Sequence, residues 1–458
     1  MFVGREREIK TLNEHYDRDG FEFFCIYGRR RVGKTELIKE FVKGKKAIFF
    51  TGVEDTKYVN LTEFSYAVRE ALYDTKSKAL YSDFKDALID VFKYAQKDKL
   101  ILVIDEYPYL AKSYPGISSI LQIEIDHRLK NTNIFIILCG SSMSFMEKQV
   151  MGYKSPLYGR RTGQIKVLPF DFETSRAFYE RGSQEEKAII YGVTGGMAKY
   201  LALFRNNLSV RENIVKNFFQ SNELLFEEPT NLLNQELREP ALYNSIITAV
   251  ATGSTKINEI ETKTQLDSST CVKYLKNLIE LGIVKREIPI MDKATSKKSI
   301  YRLNDGMFRF WYRFVYKNIS KIQLGFGEQV YEDVKELIPD FMGEVFEQIC
   351  MEYIWKTTPP FSVSHIGRWW GNNPIKKTEQ EIDLIAVNSN NTKAIFCECK
   401  WRNQKQPESV IDELIDKAAL FGHQEKYYFI FSKSGFTAAA KKRESENIKL
   451  IDFSEMFT

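Results

Sequence analysis

Short apolar runs recur through the first third of the chain and predict a buried parallel sheet. The four clearest runs lie at 21–27, 47–51, 100–104 and 133–139. They are apolar nearly throughout, as expected for strands that are covered by helices on both faces. Segments with helical spacing lie between them, as at 36–41 and across 61–92. This alternation is typical of an α/β domain.

The middle of the chain has helical spacing with few strand signals. Helical patterns dominate from 172 to 233, and three shorter helices are predicted at 243–250, 256–261 and 268–281. Two short strand segments, at 282–287 and 299–303, follow the third helix. This order resembles a winged helix, with 268–276 as its recognition helix and the lysines near 293–298 on its wing.

The last third of the chain restarts the alternation in another order. The predicted elements are a helix at 341–355, strands at 361–370, 379–387 and 393–401, a helix at 409–421 and a strand at 426–431. An asparagine-rich turn joins the second and third strands. The pattern predicts a second, separate α/β domain.

Length and composition restrict the protein class. A chain of 458 residues predicts two to four domains. With 43% hydrophobic and 28% charged residues, and no uninterrupted apolar segment of about 18 residues, it is predicted to be globular and not membrane-bound. The charged N-terminal segment has no secretory pattern, which predicts a cytoplasmic location. A net charge of +5 is compatible with nucleic-acid binding but does not demonstrate it.

The first chemical motif follows the first predicted strand and opens a predicted helix. It fits G-x-x-x-x-G-K-[ST] and consists of Gly28, Arg29, Arg30, Arg31, Val32, Gly33, Lys34 and Thr35. The loop backbone and the following helix N-terminus would hold a polyphosphate. Lys34 would contact the β- and γ-phosphates, and Thr35 would ligate Mg²⁺. ATP with Mg²⁺ is therefore the predicted ligand.

Polar residues end the next two buried strands. Asp105 is predicted to hold the Mg²⁺, and Glu106 to orient or deprotonate the water that attacks the γ-phosphate. Ser141, or Ser142, would sense the phosphate. Arg160, or its neighbour Arg161, could stabilise phosphoryl charge in cis or from another subunit of a homo-oligomer, the alternative being an ordinary surface arginine.

These segments together resemble a known family. Phe2-Val3-Gly4-Arg5-Glu6, the loop at 28–35, Ile104-Asp105-Glu106, the segment at 138–142 and Leu168-Pro169-Phe170 are similar to those of the archaeal-type ATPases, prokaryotic P-loop proteins related to the AAA+ and STAND classes. The resemblance implies that the first segment packs beside adenine and that a helical lid follows the core. The G-G-x-P-x-Y-L segment of the family lacks its proline here, at Ala198.

A second set of charged residues lies on the predicted C-terminal hairpin. Glu398 and Lys400 are two residues apart on one strand and so share a face, and Asp383 on the preceding strand can lie beside them. Asp383 and Glu398 could bind one or two Mg²⁺ or Mn²⁺ ions. Lys400 could orient or help to deprotonate a metal-activated water for attack on a phosphodiester.

This arrangement resembles the PD-(D/E)xK nucleases, whose restriction-endonuclease-like domain is commonly fused to these ATPases. The resemblance implies that a helix glutamate completes the metal site, with Glu347 the best match and Glu344 the second choice. Ile382 stands where many members have proline. Charge alternation on an exposed strand edge is the alternative interpretation of Glu398 and Lys400.

The predicted fold class is therefore α/β, with several domains. A P-loop ATPase core is expected at 1–170, a helical lid at 171–235, a winged helix at 236–325 and a nuclease-like domain at 326–458. The predicted function is ATP hydrolysis that controls a metal-dependent nuclease acting on DNA. The alternatives are an ATP-switched DNA- or protein-binding regulator with an inactive nuclease fold, and a scaffold with slow turnover.

Overall fold

The structure, a computed structural model, describes residues 2–73, 79–374 and 376–457. The chain forms two compact units. The first consists of Met1–Pro169 with Met197–Lys199, and the second of Phe170–Gly196 with Tyr200–Thr458. The finer division into four domains stays a prediction. Part of the predicted helical region at 61–92, residues 74–78, lies outside the described residues.

A five-stranded parallel sheet is the centre of the first unit, with the strand order β2-β3-β4-β1-β5. Its strands are β1 Glu22–Tyr27, β2 Ala47–Thr51, β3 Leu100–Asp105, β4 Ile134–Gly140 and β5 Gly163–Lys166. Strands β1, β3 and β4 are buried along their full length, which explains why their sequences are apolar apart from Glu22 and Asp105 at strand ends. The sequence did not predict β5, a four-residue edge strand with mixed polarity.

Helices surround this sheet, and all of them except the last, a three-residue helix, bury apolar residues. They are α1 Glu6–Tyr16, α2 Lys34–Val42, α3 Lys57–Tyr73, α4 Phe84–Ala95, α5 Tyr107–Ser113, α6 Ile117–His127 and α7 Met143–Phe145. In α2 the buried apolar residues are Leu37, Ile38 and Phe41, whose spacing puts them on one face. This packing fixes the start of α2 beside the end of β1.

The second unit begins with helices, one of which starts with Ala198 and Lys199 of the first unit. They are α8 Phe172–Ser175, α9 Gln184–Thr194, α10 Ala198–Leu201, α11 Val210–Phe218, α12 Leu224–Glu236, α13 Pro240–Ala251, α14 Ile257–Thr264 and α15 Ser268–Glu280. Asp267 caps α15 by accepting a hydrogen bond from the backbone N–H of Thr270. An antiparallel hairpin follows, made of β6 Val284–Glu287 and β7 Ile300–Leu303.

A second five-stranded sheet lies in the C-terminal part of this unit, with the order β12-β11-β10-β9-β8. The elements are α16 Gly306–Phe310, α17 Ile319–Gln323, α18 Gly327–Val334, α19 Ile338–Lys356, β8 His365–Asn373, β9 Thr378–Val387, β10 Lys393–Lys400, α20 Ser409–Ala418, β11 Glu425–Ser432, α21 Ala438–Lys441 and β12 Ile448–Asp452. Strands β10, β11 and β12 are parallel, whereas β9 is antiparallel to both β10 and β8.

Two sequence predictions in this region need correction. The strand predicted at 361–370 begins at His365 and ends at Asn373, because its register with β9 continues through the polar residues 371–373. The final strand β12 was not predicted. Its apolar residues are only partly buried at the sheet edge. None of the described helices is long and apolar enough to cross a membrane.

Candidate functional site

The phosphate loop connects β1 to α2. Gly28 approaches the backbone so closely that an added methyl group would lie 2.3 Å from the carbonyl oxygen of Val167. Gly33 has a φ of 95°, in the left-handed region that glycine tolerates best, and immediately precedes α2. The loop therefore ends at a helix N-terminus, where backbone N–H groups and the helix dipole favour an anion.

Lys34 is the central side chain of this loop. It is only 6% exposed, and burial lowers its pKa. Its Nζ donates to the carbonyl oxygens of Gly28 and Arg29, each at 3.0 Å, and to the hydroxyl of Ser141 at 2.8 Å. A buried ammonium surrounded by weakly compensating dipoles is a strong site for a negatively charged ligand.

The residues predicted for Mg²⁺ and water lie next to Lys34. The Thr35 hydroxyl donates to Asp105 Oδ2 at 2.9 Å, and Asp105 is only 3% exposed. The Ser141 hydroxyl donates to a carboxylate oxygen of Glu106. Ser141 thus connects Lys34 to Glu106, because β1, β3 and β4 are neighbours whose carboxyl ends meet at one sheet edge.

The remaining predicted residues of this site have other contacts. Arg160 donates to both carboxylate oxygens of Asp126, at 3.0 and 2.6 Å, and to the carbonyl oxygens of Pro156 and Tyr158. The structure therefore gives Arg160 a local partner, and its predicted role at the phosphates stays a prediction. Arg30 donates to the Tyr109 hydroxyl at 2.7 Å.

Further side chains of the loop region are placed as follows. Val32 is fully buried, and the carbonyl oxygen of Arg31 accepts a hydrogen bond from the backbone N–H of Lys199. Arg161 is exposed. Ser142 directly precedes α7.

Arg5 supports the loop in a way that was not predicted. It is 9% exposed and donates to the carbonyl oxygens of Val32, at 3.2 Å, and Leu168, at 2.6 Å. The N-terminal segment had been expected to pack beside adenine. The resemblance to the ATPase family singles out this segment, but the sequence does not reveal that Arg5 holds the backbone of the phosphate loop.

A second cluster lies on the C-terminal sheet. Asp383 on β9 accepts a hydrogen bond at 2.7 Å from the backbone N–H of Cys399 on β10. Lys400 contacts one carboxylate oxygen of Glu398, and Lys417 contacts the other at 3.1 Å. Asp383 and Glu398 are 9% and 6% exposed. The structure thus brings the three predicted residues together and adds Lys417, which was not predicted.

Burial and mutual repulsion shift the carboxylates of this cluster. Burial, with a further contribution from Glu398, raises the pKa of Asp383 to about 6. Burial and the charge of Asp383 raise the pKa of Glu347, although the Arg368 guanidinium 3.3 Å away favours the ionised form. The pKa of Lys400 is also raised, because Glu398 and Asp383 more than offset its burial.

The two candidate helix glutamates differ in their surroundings. Glu344 pairs with Arg309 at 2.9 Å and with Arg302 at 3.4 Å, and these cations outweigh burial and lower its pKa. Glu347 instead interacts electrostatically with Asp383. Across the described residues, no three His, Cys, Asp or Glu side chains are arranged to hold a metal ion. The five predicted metal ligands, Thr35, Asp105, Glu347, Asp383 and Glu398, therefore stay predictions.

Comparison with known proteins identifies the family. Residues 2–204 match a family described as an ATPase domain predominantly from Archaea, and residues 311–411 match one described as archaeal and bacterial proteins of unknown function. The uncharacterized protein MJECL04 of Methanocaldococcus jannaschii is 35% identical over 442 residues, which cover 94% of this chain and 96% of that protein. The chain belongs to this family of archaeal P-loop ATPases.

Two further comparisons give a more distant relative in sequence and a protein of similar fold. The uncharacterized ATP-binding protein MJ0075 of Methanocaldococcus jannaschii is 25% identical over 315 residues, which cover 54% of this chain and 84% of that protein. The Walker-type ATPase PABY2304 of Pyrococcus abyssi has a similar structure, with a TM-score of 0.52, 18% identity, and coverage of 68% of this chain and 96% of that one. The predicted α/β ATPase fold is confirmed, and ATP binding and ATPase activity are supported.

Proposed function

We propose that this archaeal-type ATPase uses ATP binding or hydrolysis to control a metal-dependent nuclease domain that acts on DNA. The observation that carries the proposal is the convergence of Asp383, Glu398 and Lys400, all largely buried, in a chain that also contains a phosphate loop. Buried carboxylates whose charges oppose one another are suited to a divalent cation, which relieves that repulsion.

At the ATP end, Lys34 would bind the β- and γ-phosphates, and Glu106 would orient or deprotonate the attacking water. The contact between the Thr35 hydroxyl and Asp105 puts two oxygen donors side by side, which fits Mg²⁺. Bound Mg²⁺ would neutralise charge on the phosphates. Ser141 contacts both Lys34 and Glu106, so it can transmit the presence of the γ-phosphate to the residue that handles the water.

At the C-terminal end, Asp383 and Glu398 would hold a divalent cation, with Glu347 as a third carboxylate. A bound cation would lower the pKa of its water and polarise the phosphodiester. Lys400 is held by Glu398 and lies in the field of Asp383, so its ammonium can orient the attacking water or stabilise the negative charge that develops on the phosphate.

The direct test is a cleavage assay with the full chain, DNA, Mg²⁺ or Mn²⁺, and ATP. We expect metal-dependent cleavage whose rate changes when ATP is added, and we expect the Lys34→Met variant to lose that response. Cleavage that is independent of ATP would contradict the proposed control. The absence of cleavage with either metal would contradict the nuclease function.

The three-helix segment that precedes the C-terminal sheet is proposed to dock DNA. The exposed residues of α15 include Ser268, Ser269, Lys273 and Lys276, which supply polar and basic groups expected of a recognition helix, together with the apolar Val272 and Ile279. The adjoining wing is not free along its whole length. Ile290 donates its backbone N–H to the carbonyl oxygen of Arg368 at 2.9 Å and packs against the apolar core of the C-terminal sheet.

The double variant Lys273→Gln and Lys276→Gln tests this docking surface. We expect DNA binding to weaken and the slope of log Kd against log salt to fall by about 1 to 2, because each lost phosphate contact removes about one released counterion. Fluorescence anisotropy in EDTA would measure binding without cleavage. The matched control is Lys393→Gln, another partly exposed lysine of the same unit. An unchanged salt slope would exclude α15 from the interface.

One observation favours the alternative function, an ATP-switched regulator with an inactive nuclease fold. Both oxygens of Glu398 are contacted by lysines, and the described residues form no ready three-residue metal site. Tight DNA binding without any binding of Mn²⁺ by the full chain would support that alternative.

A further inference from the structure

Lys417 is the unexpected member of the C-terminal cluster. It lies in the last turn of α20, and its Nζ is 3.1 Å from Glu398 Oε2, while Lys400 contacts Oε1. The side chains of Lys417 and Lys400 are 20% and 24% exposed, and the side chain of Glu398 is 8% exposed. A single buried carboxylate is thus shared by two ammonium groups from different elements.

The packing of α20 does not depend on this ion pair. Val410, Ile411, Leu414 and Ala418 are buried against the sheet and supply an apolar face along the helix. A lysine in the last turn of a helix is also favoured by the helix dipole. The contact between Lys417 and Glu398 is therefore not needed to position the helix. Its main effect is on the charge around the carboxylate.

Any divalent cation that binds Glu398 meets two positive charges already in place. It must displace at least one ammonium group or bind against the repulsion of both. The spacing predicts Lys400 beside Glu398, but with the role of orienting or helping to deprotonate the water. Lys417 adds a second ammonium group that competes with the metal ion for Glu398. Once the metal ion has displaced it, this ammonium group stays beside the place where a phosphate would bind.

We propose that Lys417 is a positioning residue of the C-terminal site that competes with the divalent cation for Glu398 and favours the bound phosphodiester once the cation has replaced it. This inference rests on the proposed nuclease function for its phosphate partner. The competition between Lys417 and the metal ion concerns only Glu398, so it can be measured as metal affinity without any DNA cleavage. Metal affinity and turnover should consequently respond to Lys417 in opposite directions.

The test uses the full chain with Lys417→Met, which removes the charge and keeps much of the apolar stem, and Lys417→Arg, which keeps the charge. The control is Lys393→Met, because Lys393 on the same sheet also pairs with a carboxylate, Glu425, at 2.9 Å. Titration calorimetry with Mn²⁺ gives the metal affinity, and cleavage of an oligonucleotide duplex gives kcat and KM. Thermal melting without metal checks the fold of each variant.

We expect Lys417→Met to bind Mn²⁺ about 10-fold more tightly, because one of the two ammonium charges that oppose the cation is removed, and to have a kcat at least about 10-fold lower. Lys417→Arg should restore kcat, and Lys393→Met should change neither value. A purely structural role would instead weaken Mn²⁺ binding or leave it unchanged, and either result overturns the inference.

The remaining outcomes separate this inference from the proposed function. If the wild-type chain binds Mn²⁺ but cleaves no DNA, while Lys417→Met still binds Mn²⁺ more tightly, the competition stands and the nuclease function fails. If the wild-type chain cleaves DNA and Lys417→Met changes neither affinity nor kcat, the function stands and the inference fails. If the wild-type chain binds no Mn²⁺, both fail.

Discussion

Lys34→Met should reduce ATP turnover by at least about 100-fold, the size of effect expected when one charged group is removed from a buried transition-state site. The Lys34 ammonium donates hydrogen bonds to the carbonyl oxygens of Gly28 and Arg29 and to the hydroxyl of Ser141. No other cation among the described residues makes these three contacts. Removal of the Lys34 ammonium leaves the developing charge on the phosphates without its nearest compensation. Phosphate release at saturating ATP would measure the loss.

The stability of this variant separates a catalytic defect from misfolding. Because burial lowers the pKa of Lys34, the folded, nucleotide-free chain bears a desolvation penalty that methionine does not have. We expect the melting midpoint of Lys34→Met to equal or exceed that of the wild type. Lys39→Met, a change on an exposed face of the same helix, should keep full turnover. If Lys34→Met turned over ATP at the wild-type rate, the result would support the alternative of a scaffold with slow turnover.

The first sheet was predictable because its central strands are buried on both faces and their sequences show it. The interiors of strands β1, β3 and β4 are apolar, and candidate site residues lie at or just after their carboxyl ends, at Gly28, Asp105 and Ser141. The edge strand β5 carries no such signal. Gly163–Lys166 has one buried residue in four, so its pairing with β1 depends on the tertiary structure.

The C-terminal site was predictable only along its own strands. The two-residue period puts Glu398 and Lys400 on one face, and antiparallel pairing brings β9 beside them. Lys417 belongs to a helix whose rotation on the sheet is fixed by packing, so no spacing rule reveals it. The same holds for Arg5, whose partners Val32 and Leu168 are distant in sequence.

Local ion pairs are another feature that the sequence does not reveal. Arg160 follows a glycine near the end of the core, which made it a candidate for contact with the phosphates. In the structure Asp126 on α6 accepts both of its guanidinium hydrogen bonds, and this pair lowers the pKa of Asp126. A sequence pattern cannot show which carboxylate an arginine will meet, because the packing of the first unit brings the turn that carries Arg160 next to α6.

Asp383→Asn is expected to lower metal-dependent DNA cleavage by about 1000-fold or more, since it removes a charged ligand from the proposed cation site. Asparagine keeps an oxygen that can accept the hydrogen bond from the Cys399 N–H, so the local backbone should be preserved. The matched control is Glu379→Gln, which neutralises an exposed carboxylate on the same strand. Unchanged cleavage by Asp383→Asn would eliminate the assigned nuclease site.

The same variant has a pH-dependent effect on stability that requires no metal. Asp383 has a pKa of about 6 in the folded chain against an ordinary value of 3.8, so the folded state holds the proton more tightly. The contribution of Asp383 to the stability of the metal-free wild type therefore falls as the pH rises from about 4 to 6, by about 2 to 3 kcal/mol in total. Asparagine has no proton to lose. Melting in EDTA should show Asp383→Asn above the wild type at pH 7.5, with the gap closing toward pH 4.5, whereas a constant gap would mean that Asp383 does not titrate in this range.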